Sequence, residues 1–373
     1  MLIATAGDRD GLPGQGQATV IGRGTDVKAG ASAVPPVTTH LYRVWPSRNT
    51  FCCLGALMMG GEKECQIAAC LCKWSGANLC SWTFILVPSC VYFALGAHHV
   101  AQGDFPIPLY LATICVFMMT VSCLLMACCT DPGVLPRRGV ITATGTEKNL
   151  STVLGYNPLG VGTPTFQKEL DGKGMVPDDL ARQGYRWCHT CHIVRPPRAS
   201  HCPECDNCVL RFDHHCPFVN NCVGQRNYPF FFSFTSSVCI LAILVLPSLA
   251  YFYMGMSGAG TSSGPQMSGG DVIGYVVIVV CCLAGLAFMA LGSLWLYHVF
   301  LMSQGKTTKE HLKGAKQMQG VESEPMLCAP RGPKLFDQFA LVELEKLMAE
   351  PSSCVKGHSR GQAWCCQDAV PDV

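Results

Sequence analysis

Residues Val272–Gly305 read VIGYVVIVVCCLAGLAFMALGSLWLYHVFLMSQG, 34 consecutive positions without Asp, Glu, Lys or Arg. Crossing the ~30 Å hydrocarbon layer takes ~20 apolar residues in a helix. Helices of soluble cores seldom run so far uncharged. Three other runs share the property: Trp74–Gly103 (30 positions), Phe105–Thr130 (26) and Asn227–Gly270 (44). Their apolar cores predict four membrane-spanning helices near Leu79–Ala97, Ile107–Cys129, Phe230–Tyr253 and Ile273–Tyr297. The 373-residue chain is only 14% charged, against ~25% for a soluble domain, and the spans account for the deficit. A net charge of +2 gives no reason to expect a nucleic-acid partner.

Orientation follows from the basic residues. Seven Lys and Arg precede the first span, 11 lie between the second and third, and nine follow the fourth. The loops near His98–Phe105 and Met254–Asp271 hold none. Basic residues accumulate on the cytosolic side, so both termini and the middle loop are expected there. Neither short outer loop contains any of the 25 cysteines, and cytosolic thiols stay reduced, so no disulfide framework is expected. The first apolar segment starts too late for a cleaved signal peptide, and no lipidation motif is read at either end.

Composition divides the rest. Residues 1–40 read as a disordered N-terminus and 41–78 as a pre-span segment. Spans one and two occupy 79–129. A linker, 130–184, opens on the turn signal Asp131-Pro132-Gly133 and reads as loop. A cysteine-rich domain fills 185–229, spans three and four fill 230–300, and a tail fills 301–373. In the tail, Lys334–Glu350 predicts an amphipathic helix through Leu335, Phe339, Val342 and Met348, packed or lying on the membrane. Cys115, Cys123, Cys239, Cys281 and Cys282 read as helix-packing residues. Ser89, Gly96, Gly285 and Gly292 read as packing residues too, with room for an acyl chain as the alternative. The pairs Cys52–Cys53 and Cys365–Cys366 are candidates for acylation, with plain burial as the alternative.

The cysteine-rich domain reads Cys188-x2-Cys191, His201-Cys202-x2-Cys205-x2-Cys208, Asp213-His214-His215-Cys216 and Cys222. Two Cys-x2-Cys pairs followed by further His and Cys are a zinc pattern. The segment holds seven Cys and five His, and two closed tetrahedral sites use eight ligands. A Cys3His site carries a charge near −1, which Arg186, Arg195, Arg198, Arg211 and Arg226 can offset.

Residues Arg186–Phe232 resemble the cysteine-rich domain of the DHHC family of protein S-acyltransferases. The tetrapeptide Asp213-His214-His215-Cys216 is intact, and Pro217, Asn220, Asn221, Cys222, Gly224, Asn227 and Tyr228 match. Phe218 stands where the family has Trp. Asp131-Pro132-Gly133 and the Thr307-Thr308-Lys309-Glu310 segment agree as well. Arg43–Asn49 and Met58-Met59-Gly60 look like the pre-span segment of the subgroup that includes Ras palmitoyltransferases. The family's C-terminal Asn-aromatic motif is not clear, and Phe336 and Phe339 are read as its remnants.

The resemblance implies an all-α polytopic membrane protein of four transmembrane helices, with a small cytosolic two-zinc domain of short β-hairpins. It implies one structural zinc on Cys188, Cys191, His201 and Cys208, and another on Cys202, Cys205, His215 and Cys222. That leaves Cys216 as the one spare cysteine of the segment and the family's nucleophile. His189 and His192 are then polar surface residues. A free thiol is only slightly ionised at pH 7, so His214 is expected as the base and Asp213 as its orienting partner. Thr307, Thr308 and Glu310 are expected to brace the site. The implied reaction takes acyl-CoA, typically palmitoyl-CoA, as co-substrate and passes the acyl group through Cys216 to cysteines of cytosolic or membrane-associated proteins. An endomembrane (Golgi or ER) or the plasma membrane is the expected location, and the resemblance leaves room for an accessory subunit. The competing readings are a membrane-anchored zinc scaffold and a catalytically inactive acyl-CoA-binding relative.

Overall fold

A computed structural model of the chain describes residues 38–61, 75–163, 165–256, 269–314, 325–327 and 331–348, with two short backbone stretches at 355–356 and 363–364. In chain order these form β1 (Thr38–His40), β2 (Thr50–Cys52), β3 (Leu57–Met59), α1 (Gly76–Gln102), α2 (Ile107–Cys129) and β4 (Val134–Leu135). Four short helices follow: α3 (Arg138–Thr144), α4 (Glu147–Leu154), α5 (Phe166–Asp171) and α6 (Asp178–Arg182). The cysteine-rich module holds β5 (Arg186–Cys188), β6 (Ile193–Arg195), β7 (Ser200–Cys202), β8 (Asn207–Val209), β9 (His214–Cys216) and β10 (Asn221–Val223). The chain ends in α7 (Tyr228–Met256), α8 (Gly269–Ser303), α9 (Thr308–Lys313), β11 (Leu341–Glu343) and α10 (Leu344–Met348).

Helices α1, α2, α7 and α8 are long and apolar enough to cross a membrane, and the protein is an integral membrane protein. Helix α2 has the predicted ends. Helix α1 starts three residues early because Ser75 Oγ accepts the Asn78 N–H at 3.1 Å, a Ser N-cap. It runs on to a left-handed Gly103 cap. Helix α7 packs against the other three. Its buried residues Phe231, Phe234, Val238, Leu241, Val245, Leu249 and Phe252 recur every three or four positions, one stripe of a helix. The outer surface stays apolar: Leu286 and Met289 of α8 are each 70% exposed, as a lipid-facing wall requires.

The module is tied to the end of α2 by a hydrogen-bonding necessity. The last carbonyls of a helix lack intrahelical donors. Asn221 Nδ2 donates to Cys128 O and Thr130 O, both at 3.0 Å, and Asn227 Nδ2 donates to Ala127 O at 3.2 Å. The chain leaves α2 through the Asp131-Pro132-Gly133 turn. Asp131 Oδ1 accepts the N–H groups of Gly133 and Val134, each at 2.9 Å, and Gly133 adopts φ +106°, which a side chain would resist. Strand β4 then joins the edge of the β7–β8 hairpin through β8. Pairs β5–β6 and β9–β10 are separate antiparallel hairpins. The pre-span segment covers the module: Gly60 N–H donates to Asn220 O at 2.9 Å, and a Cβ on Gly60 would sit 2.7 Å from Asn221 Cα.

Several sequence expectations differ from the structure. The linker 130–184 carries β4 and α3–α6 rather than loop alone, because Val140, Ile141, Leu150, Tyr156 and Met175 are buried. Residues 38–40, expected disordered, form β1 and pair with β11 at the far end of the chain. Among the described residues of Lys334–Glu350, only Leu344–Met348 is helical. The open edge of β1 draws Leu341–Glu343 into a strand, and Phe336 packs at a tilt against Trp45 at 4.6 Å; Phe339 lies against Tyr42 at 6.0 Å. Cys115 and Cys282 are exposed on the bundle surface rather than packed, while Cys123, Cys239 and Cys281 are partly buried. Gly96 packs beneath Tyr110, whereas a Cβ on Gly285 or Gly292 meets nothing within 4 Å. Cys53 is exposed and Cys52 partly buried. Residues 1–37, Glu350 and Cys365–Cys366 lie outside the described residues.

Replacing Asn221 with Ala strips buried carbonyls of α2 of their donor, at a cost of roughly 1–3 kcal/mol. The detergent-solubilised protein is expected to melt several degrees lower by nano-scanning fluorimetry; an unchanged transition would remove Asn221 as the joint between module and bundle.

Candidate active site

The module's metal-binding geometry rests on strand alternation. Neighbouring residues of a strand point to opposite faces, so adjacent His201 and Cys202 of β7 serve different clusters. His201 Nδ1 lies 3.8, 3.4 and 3.9 Å from the sulfurs of Cys188, Cys191 and Cys208. His215 Nδ1 lies 3.8, 3.4 and 3.7 Å from those of Cys202, Cys205 and Cys222. Tetrahedral bonds of ~2.3 Å to sulfur and ~2.0 Å to nitrogen imply ligand separations of roughly 3.5–3.8 Å, so each foursome fits one ion. Cys188 and Cys202 are held well below the usual thiol range, first by hydrogen bonds from Cys191 and Cys208 and from Cys205 and Cys222 respectively. Outside the first cluster, His201 Nε2 faces Asp206 at 3.6 Å, and Asp206 pairs with Arg137 at 3.2 Å. Such outer partners orient metal ligands. Sequence reading singled out neither Asp206 nor Arg137.

Alternation on β9 separates the other two residues from the metal. His215 turns to the second cluster, while His214 and Cys216, two positions apart, share the opposite face. His214 Nδ1 is 2.6 Å from Asp213 Oδ2, and the ring is near enough to Cys216 for the sulfur to favour its charged form. Asp213 is 1% exposed. Thr308 donates its backbone N–H to Asp213 Oδ1 at 2.8 Å and its hydroxyl to Oδ2 at 2.7 Å. Burial opposes the Asp213 charge, but its bonds with His214 and Thr308 outweigh burial and hold the carboxyl below the usual range. Burial likewise opposes a charged His214, yet Asp213 and Cys216 raise its pKa to about 10.

Behind Thr308 stands a capping box. Thr307 Oγ1 accepts Glu310 N–H at 3.2 Å and Glu310 Oε2 accepts Thr307 N–H at 2.8 Å, the reciprocal arrangement that starts a helix. Arg198 clamps Glu310 through two hydrogen bonds of 2.8 and 3.0 Å. Arg226 pairs with Asp131 at 3.3 Å, so both arginines serve carboxylates. His189 is exposed, as expected for a surface residue. His192 is not simply surface: its Nδ1 hydrogen-bonds Glu169 of α5.

The start of α1, unmarked in the sequence reading, holds the turn after Cys216. Ser75 Oγ donates to Pro217 O at 2.7 Å, and Asn78 Nδ2 and Ser81 Oγ donate to Phe218 O at 2.7 and 3.0 Å. The polar Ser75-x2-Asn78-x2-Ser81 spacing before an apolar helix was the available signal. Cys216 opens on a cavity of about 450 Å³, within the ~300–1,000 Å³ of ligand pockets. Its walls include Ile85, Pro88 and Ser89 of α1, Phe234, Val238 and Leu241 of α7, and Ala287 and Leu291 of α8. Lining residues on α7 extend from Phe231 to Leu246, ~22 Å of helix at ~1.5 Å per residue. His298 of α8, also unmarked beforehand, brings a ring nitrogen within 4.8 Å of Asp213 and His214.

A four-helix membrane bundle carrying this module and site is the architecture of a DHHC-type acyltransferase, and the family described as DHHC palmitoyltransferase matches residues 181–315. Palmitoyltransferase ZDHHC9 of Pongo abelii is 31% identical over 338 residues, covering 86% of this chain and 86% of that protein. Palmitoyltransferase ZDHHC18 of Homo sapiens is 29% identical over 329 residues, covering 83% and 77%. The chain belongs to the DHHC palmitoyltransferase family and is a protein S-palmitoyltransferase.

The His214–Asp213 pair sets a pH signature. An unfolded imidazole titrates near ~6.5, so the raised His214 contributes stability that is complete below that pH and is lost as pH rises through about 10. Asp213, lowered, contributes stability present above its unfolded value near ~3.9 and lost as pH falls through its folded one. The melting-temperature advantage of wild type over His214→Gln is expected to shrink steadily from pH 7 to 10. A constant difference across that range would contradict the ion pair.

Proposed function

We propose that Cys216 carries the acyl group during transfer from a long-chain acyl-CoA, typically palmitoyl-CoA, to cysteines of cytosolic or membrane-associated proteins. One observation carries this reading: Cys216, on the same face of β9 as the Asp213-supported imidazole, also lines an apolar cavity in the bundle. His214, with a pKa of about 10, takes the Cys216 proton and holds it until a leaving thiolate takes it back. The thiolate attacks the acyl-CoA thioester carbonyl, a Cys216 thioester forms, the bond to CoA sulfur breaks, and the CoA sulfur takes the proton from His214 and leaves as the free thiol. A substrate cysteine then gives its proton to His214 and attacks acyl-Cys216, restoring the thiol. One thioester replaces another at each step, so the task is to lower a barrier rather than to drive an uphill reaction.

Pulling an acyl chain into water costs about 0.8 kcal/mol per CH₂. A cavity that continues into the bundle lets Cys216 meet the thioester while the chain stays in an apolar environment. The distribution of Lys and Arg supports a cytosolic module and termini, in an endomembrane or the plasma membrane. Two zinc ions, held by Cys188, Cys191, His201 and Cys208 and by Cys202, Cys205, His215 and Cys222, supply rigidity to a module whose strands have three residues or fewer. Every side chain named in the relay comes from this chain, so an accessory subunit would regulate or stabilise the site rather than complete it.

Purified protein incubated with radiolabelled palmitoyl-CoA is expected to take up hydroxylamine-sensitive label, and Cys216→Ser to take up none. Label persisting in Cys216→Ser would refute the acyl carrier; an unlabelled wild type would favour a zinc scaffold or inactive relative. Elemental analysis is expected to find two zinc equivalents per chain, with loss of metal and of module folding in Cys205→Ala. Undiminished zinc in that variant would remove Cys205 from the ligand set.

A further inference from the structure

His298 is the one imidazole in the 35 residues of α8 and is 1% exposed. An ionisable side chain in a membrane-spanning helix is costly and turns toward a partner. On one side the partner is Tyr228, whose hydroxyl lies 3.2 Å from His298 Nδ1. On the other, a ring nitrogen lies within 4.8 Å of the Asp213 carboxylate and the His214 ring. The His298 ring centroid is 5.8 Å from that of His214 and 5.1 Å from that of Phe231, and Phe231 meets the His214 ring edge-on at 5.3 Å.

Three such ligand atoms so close together also resemble a metal site, but most of their bonding capacity is already used. The Asp213 oxygens accept the Thr308 N–H, the Thr308 hydroxyl and His214 Nδ1–H. His214 keeps only Nε2 for Cys216, and His298 Nδ1 is engaged by Tyr228. A cation held by Asp213 and His214 would have to displace these bonds, so the cluster is an extension of the relay in which His298 packs beside the pair. Helix α8 also runs directly into the Gly305 turn and Thr308, so one continuous segment meets Asp213 twice.

We infer that His298 is a positioning residue for acyl transfer: anchored by Tyr228, it closes the space beside the Asp213–His214 pair and keeps the His214 ring turned so that its free nitrogen faces Cys216. The inference rests on Cys216 being the acyl carrier. Phe231 alone cannot do this, because it also lines the acyl cavity and offers no polar contact.

The test is single-turnover labelling of full-length, zinc-loaded protein in liposomes over a range of palmitoyl-CoA concentrations. His298→Ala is expected to lower the maximal rate of Cys216 acylation roughly 10–100-fold, as removal of an orienting partner commonly does, with the half-saturating concentration unchanged. His298→Gln, which restores a polar contact, is expected to recover part of the rate, and Tyr228→Phe to fall between wild type and His298→Ala. A wild-type maximal rate in His298→Ala, or a loss confined to half-saturation, would overturn the inference. If His298→Ala does not fold, His298→Gln and Tyr228→Phe decide: full wild-type rates in both would overturn it equally. Label in a Cys216→Ser control would instead refute the carrier and leave a distinct result.

Discussion

The period of two along a three-residue strand governs the chemistry of this protein. In β9, His215 faces the second metal cluster while His214 and Cys216 face away from it. Had all three shared a face, Cys216 would compete for an ion bound there and His214 would be drawn in as a ligand. The pleat lets adjacent residues serve a metal-fitting cluster and the Asp213–His214 site separately. The same alternation on β7 sends His201 and Cys202 to different clusters, so one strand links both metal positions.

That arrangement works only if β9 is held relative to the membrane, and the holding is polar. Asn221, opposite Cys216 in the hairpin register, satisfies carbonyls at the end of α2. Ser75, Asn78 and Ser81 of α1 grip the carbonyls just after Cys216. Thr308, beyond α8, grips Asp213. Three membrane helices therefore end on the same few residues, each at a point where backbone groups lack partners of their own. The buried Asp213 charge is tolerable for this reason: unpaired it would be expensive, but three donors from His214 and Thr308 surround it.

The spans were legible because a charged side chain in hydrocarbon is costly, and composition alone records that cost. The metal ligands were legible as a group because Cys-x2-Cys turns are local. Their sorting into two clusters came from family resemblance, since spacing is compatible with other pairings. The Thr307-to-Glu310 brace was named from the motif, but its contact with Asp213 spans 95 residues of sequence. The tail helix was misjudged because Leu335, Val342 and Met348 meet a helical period, whereas the available partner was the edge of β1, some 300 residues earlier. The helices of the linker were missed because short amphipathic segments rich in Gly and Thr carry weak periodicity.

By itself, then, the order of residues determined where the chain crosses the membrane, which side holds its basic residues, and which Cys and His are available to metal and to chemistry. These are consequences of solvation and of local geometry, both written along the chain. Tertiary structure alone decided that Cys216 meets a cavity walled by α1, α7 and α8, that Asp213 is held by Thr308, and that His298 stands beside His214. Most of those contacts join elements far apart in the chain, Asp213 and Thr308 by 95 residues, and nothing in local propensity distinguishes a serine, threonine or histidine that will meet such a partner from one that will not.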